Sequence, residues 1–126
     1  MADAIVTLKA RNKMLRARAG EIMLPKIAGF AFGNGGVDSS GNVLAPNENQ
    51  ESLNSELLRK EIDGYTMISD TKCRYECTLA NEELAGESIS EIALYDADGD
   101  IIAIKTFSAK GKDADFEMTF QIDDTF

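Results

Sequence analysis

The sequence holds 126 residues, 44% hydrophobic and 28% charged, with a formal net charge of −9 and neither histidine nor tryptophan. That length suits one domain with a real core. It contains no apolar run long enough to cross a bilayer and no compact apolar leader followed by a small-residue cleavage site, so no membrane contact is expected. Without histidine the chain lacks the usual general base and the commonest transition-metal ligand, which turns the reading away from enzymes.

The charge is unevenly spread. Residues 1–26 carry six basic side chains (Lys9, Arg11, Lys13, Arg16, Arg18, Lys26) against Asp3 and Glu21, while the remaining hundred residues sum to −13. A basic arm on an acidic body suits an acidic partner, a sister copy or nucleic acid. Nucleic acid fits worst, because the body would repel phosphates and no aromatics interleave with the basic residues.

In chain order, Asp3 is a plausible N-cap for a helix over residues 4–18, with Gly20 as its stop. At helical spacing it has two apolar stripes, Ile5, Leu8 and Leu15 on one side and Val6, Ala10, Met14 and Ala17 on the other. Lys9, Lys13 and Arg16 lie between them. One stripe packs on the chain's own sheet, and the second is covered either by the rest of the fold or by another subunit. A strand is expected over about 22–32, interrupted or on an edge at Pro25, and Gly33-Asn34-Gly35-Gly36 ends it in a turn. This run is no phosphate loop, because neither a Lys-Ser/Thr pair nor a helix follows. A long polar loop, 33–50, contains Asn34 and Asp38. Residues 51–60 read as a second short helix with Leu53, Leu57 and Leu58 on its inner face, capped by Asn49 or Ser52.

Strands follow over about 62–69 and 71–79, the latter with Cys73, Tyr75, Cys77 and Leu79 on one face. Cysteines four apart in a strand stand about 13 Å from each other, too far for a disulfide, and no further ligand completes a metal site. Two small buried thiols are expected. The clearest signal is Ser88–Phe107, two alternating apolar runs (88–95 and 101–107) joined by Asp96-Ala97-Asp98-Gly99-Asp100. This is a hairpin forming the middle of the sheet. The acidic turn looks like a calcium loop, but glycine falls at the fourth position and Phe107 at the twelfth, so a turn is the better reading. A last strand is expected over 114–122, with Phe116, Met118, Phe120 and Ile122 inward. The fold class is therefore α+β, a mainly antiparallel sheet or small β-sandwich with an N-terminal helix and a second short helix, in one domain over 1–126.

No catalytic constellation emerges. The carboxylate pairs Glu82/Glu83 and Asp123/Asp124 lie in exposed-looking stretches, and no histidine is present to activate a serine or threonine. No cofactor or metal is expected.

The segment SEIALYDADGDIIAIKTF resembles a signature of the N-terminal domain of bacteriophage tail-collar and tail-fibre proteins. Three other pieces fall in that family's order: the N-terminal helix, the AFGNGG turn at Ala31–Gly36, and LNSELLRKEI at Leu53–Ile62. The resemblance implies a structural role without catalytic residues, attaching fibre or appendage components to a baseplate or tail in a virion or tail-like particle assembled in the bacterial cytoplasm. The implied partners are other tail or baseplate proteins, and self-association is expected because closed symmetry is the default for assemblies. Neither nucleic acid nor membrane is an expected partner. The candidate contact surface is Val6 and Met14 with their basic borders Lys9, Lys13 and Arg16, together with Asn34 and Asp38 of the long loop. A glycan- or ligand-binding β-domain is the alternative.

Overall fold

A computed structural model describes residues 4–126 of the chain. Its elements are β1 (Ile5–Val6), α1 (Leu8–Arg18), β2 (Ile27–Gly33), β3 (Glu56–Glu61), β4 (Gly64–Ser69), β5 (Lys72–Leu79), β6 (Ser88–Asp96), β7 (Ile101–Gly111) and β8 (Met118–Thr125). They form a five-stranded sheet in the order β1-β7-β6-β2-β3 and a three-stranded sheet in the order β4-β5-β8. Every neighbouring pair is antiparallel.

The hairpin β6–β7 lies inside the larger sheet, with β6 as its central strand. Both faces of β6 are covered, which is why it is buried almost throughout. On one face Ile92 and Leu94 join Phe30, Phe32, Cys77, Leu79, Phe120 and Ile122 in the core between the sheets. On the other, Ala93 packs with Ala31, Ile101, Ile104 and Leu53, and Ile5 rests against them. Small residues at positions 31 and 93 let Leu53 approach this second face. Cys77 belongs to the inter-sheet core and Cys73 is half-buried; both thiols are free.

The second short helix is absent. Residues 51–55 contain bends, and Glu56–Glu61 is strand β3, paired with β2 from Gly29↔Glu61 to Gly33↔Glu56. The leucine spacing fits a helix, but β2 needs a partner on the side away from β6, and ladder pairing overrides local propensity. As an edge strand β3 carries Glu56, Arg59, Lys60 and Glu61, charges of the kind that discourage pairing with other chains.

The first helix begins at Leu8 rather than at residue 4. Thr7 caps it: its Oγ1 accepts the Ala10 N–H at 3.2 Å and donates to the Ile101 carbonyl at 2.9 Å. The residues before it, β-branched Ile5 and Val6, pair instead with Ile104 and Ala103 of β7. Asp3, the expected cap, lies outside the described residues. Two strand limits also shift. Residues 22–26 precede β2 without pairing, and Phe116 precedes β8 and is 40% exposed, with the Lys112 ammonium 5.5 Å from its ring centre.

Candidate interaction surface

The two ends of the β-sandwich are built differently. At one end, Ser90 and Glu91 hold the glycine-rich turn. The buried Glu91 carboxylate accepts three backbone N–H bonds, from Gly35 and Ser55 at 2.8 Å on Oε2 and from Asn54 at 2.9 Å on Oε1. Ser90 Oγ accepts the Gly36 N–H at 2.9 Å. A Cβ at position 36 would strike the Ser90 carbonyl, so only glycine lets the turn pass this close. The long loop beyond is tied back. Asp38 accepts the Asn42 and Ser40 N–H groups, which hold its carboxyl below the usual range. Val37 bridges Val43, and Leu44 receives the Thr106 hydroxyl at 2.8 Å.

At the other end, α1 docks by charge. Lys13 Nζ lies 2.6 Å from Asp100, 2.7 Å from Asp96 and 3.1 Å from Asp98. Its side chain is only 11% exposed. Burial alone would lower its pKa, but the hydrogen bonds to Asp100, Asp96 and Asp98 outweigh that and raise it. Reciprocally, the Lys13 hydrogen bond holds Asp100 below its usual value. The three carboxylates bring oxygens within 4.8 Å of one another, an arrangement suited to a cation. The lysine ammonium supplies that cation. The turn itself is set by Gly99 at φ 87° and by Asp96 Oδ1, which accepts the Asp98 and Asp100 N–H groups.

Other basic residues of the helix are satisfied similarly. Lys9 meets Glu51 and Asp100, Arg11 meets Glu48 at 2.6 Å, and Arg16 meets Glu21 at 2.9 Å. The carboxylates that meet Lys9, Arg11 and Lys13 thus belong to this chain's own acidic body, while Arg16 pairs within the arm. The helix buries Ala10, half-buries Met14 and Ala17, and leaves Leu8 and Leu15 exposed at 42% and 63%.

Beside this docked helix lies a groove of about 740 Å³. Val6, Met14, Leu24, Ile27, Ile62, Tyr65, Tyr75, Ile102 and Phe126 line it. Its lining comes from β1, α1, the 24–28 segment, β4, β5 and the end of the chain, so it is assembled from both sheets and the helix. Leu24 is 56% exposed, Tyr65 66% and Phe126 70%. Asp124 lines the groove and is half-buried. Burial pushes its carboxyl up from the ordinary aspartate range.

Of the residues expected to form a contact surface, Val6, Lys13 and Met14 line this groove, with Lys13 turned to its aspartates. Lys9 and Arg16 are engaged in exposed ion pairs outside it. Asn34 and Asp38 are exposed at the far end of β2. Ile27 and Gly33 are the ends of that strand, about 20 Å apart at the usual rise. The expected surface is therefore two separate regions. Leu24, Tyr65, Asp124 and Phe126 were not foreseen. They come from distant segments, and only the exposed apolar side chains on β4 give any local sign.

A family model for phage tail-collar fibre proteins, N-terminal, matches residues 1–123. Comparisons with curated proteins and with solved structures gave no match.

Proposed function

The chain belongs to the phage tail-collar fibre family, as its N-terminal domain, and from that premise we propose that it joins a fibre or appendage to the baseplate or collar of a tail. The family makes it a phage tail fibre component and argues against an enzyme. No helix among the described residues is long and apolar enough to cross a membrane. The observation that carries the attachment reading is the apolar groove beside α1, where Leu24, Tyr65 and Phe126 stand exposed on a chain of net charge −9. Apolar surface gathered in a concave site on an otherwise charged domain is what a protein–protein contact uses.

The action is mechanical: the domain presents a rigid face to a neighbouring tail protein. Two sheets with a filled core fix the groove walls, and the Lys13 cluster fixes the helix that borders it. Self-association is part of the proposal, since tail assemblies repeat by symmetry. In-frame deletion of the gene from the phage or prophage that encodes it is expected to leave tails without the attached appendage. Appendages present at normal number on the deletion particles would refute the role. Light scattering on the purified protein is expected to show an oligomer; a monomer at high concentration would count against self-association.

A glycan-binding reading rests on one observation, Tyr65 exposed in the groove with the Tyr75 ring 6.1 Å away. The aliphatic walls favour an apolar partner over a sugar. Binding to a glycan array by the isolated protein would reverse that preference.

A further inference from the structure

The groove combines apolar walls with one half-buried carboxylate, Asp124, that no described residue pairs with. Asp124 follows Phe120 and Ile122 on the inward face of β8, opposite Cys73 of β5. Its neighbour Asp123 is paired with Arg74 at 2.8 Å. Asp124 itself has no hydrogen bond or ion pair among the described residues, although it is half-buried. A carboxylate held among Tyr75, Ile62 and Phe126 is poorly hydrated, so a cation brought to it is worth more than one at an open surface. The other charges at the groove differ in kind. Lys13 and Asp96 neutralise each other at 2.7 Å, and Lys26 and Glu61 are exposed.

We propose that the groove receives an apolar segment of a partner tail protein that carries a single lysine or arginine, whose charge pairs with Asp124. This rests on the attachment role proposed above and specifies the chemistry of its partner. The aliphatic side chains Val6, Met14, Leu24 and Ile27 take the apolar part of the segment, and Tyr65 and Phe126 close over it. A second copy of this chain fits less well. On its helix Lys9, Arg11, Lys13 and Arg16 are already committed to its own carboxylates.

The test is selection of a random displayed-peptide library on the intact protein, followed by binding measurements with the enriched peptides made synthetically. Enriched peptides are expected to share apolar residues around one lysine or arginine. Asp124→Asn is expected to weaken them about tenfold, and replacing the peptide's cation by a neutral residue should cost the same on the native protein and nothing further on the variant. Leu24→Arg, at an exposed position, is expected to block the groove. Thermal melting separates these effects from misfolding, because Asp124→Asn removes a half-buried unpaired charge and should melt at or above the native temperature. The proposal is overturned if no peptide is enriched, if the enriched peptides lack a cation, or if their binding ignores both substitutions. It is also overturned if Leu24→Arg instead converts an oligomer to a monomer, since the occupant is then a second copy. Failure here with the protein still present in purified tail particles removes only the groove assignment. Peptide binding by a protein that tail particles lack would remove the attachment role instead.

Discussion

Replacing Glu91 by glutamine tests how the signature segment holds the fold. Glu91 is fully buried and its two oxygens accept N–H groups from Gly35, Asn54 and Ser55. Glutamine keeps one carbonyl oxygen and turns an NH2 group toward at least one of those donors. That bond is lost, and any remaining ones fall from charge-assisted strength, about 1.5–3 kcal/mol each, to about 1 kcal/mol. Relief from burying a charge offsets part of the loss. The net expectation is a destabilisation of about 3 kcal/mol. For a chain of this size that lowers Tm by roughly 12 °C and the urea midpoint by roughly 2 M. Tyrosine fluorescence and circular dichroism would follow the transition, since the chain has no tryptophan. Amide exchange at Gly35, Asn54 and Ser55 should quicken more than exchange in β5 and β8. A change below about 0.5 kcal/mol would refute the claim that this carboxylate anchors the turn.

Three further outcomes are expected. Lys13→Met keeps the aliphatic stem but leaves the carboxylates of Asp96, Asp98 and Asp100 facing one another, so stability should fall by about 2 kcal/mol. Millimolar calcium should then raise the variant's Tm in differential scanning calorimetry and leave the native protein's unchanged. Acid titration of stability follows from the depressed carboxyls: the Lys13 hydrogen bond lowers Asp100, Arg74 lowers Asp123 and Lys60 lowers Glu83. Each binds fewer protons folded than unfolded, so its contribution is present above the unfolded value near pH 4 and is lost as pH falls through the folded one. Asp124, raised by burial, acts in the opposite sense, and Asp124→Asn should flatten the curve only on the side above pH 4. Burial pushes the Cys77 thiol up to about 12. In the native protein at mildly alkaline pH, Ellman's reagent should therefore modify at most Cys73, and both thiols should react in denaturant.

The strands of the smaller sheet and the β6–β7 hairpin were legible because their apolar residues alternate with period two and their turns carry Asp and Gly. Residues 51–60 were misread because Leu53, Leu57 and Leu58 satisfy a helical spacing as well as an edge strand with a buried anchor before it. Only the need of β2 for a second partner decides between them, and that need is tertiary. The start of α1 was recoverable, since the β-branched pair Ile5-Val6 followed by Thr7 is a strand-then-cap pattern. Of the two apolar stripes read on the helix, Ile5 and Val6 belong to β1 instead. The sequence does not say that Ala10, Met14 and Ala17 face inward while Leu8 and Leu15 face out. Docking is settled by Lys13 reaching the acidic turn 83 residues downstream. The groove was illegible for the same reason. Val6, Leu24, Tyr65 and Asp124 share no local pattern, because they meet only once both sheets and the helix are assembled.

The central claim is that this domain is built into a tail. Immunogold electron microscopy of purified particles, with an antibody raised against the domain, tests it most directly. Label is predicted at the junction between tail and appendage, in a number set by the tail's symmetry. Particles with intact appendages and no label, from cells in which the protein is abundant, would contradict the account.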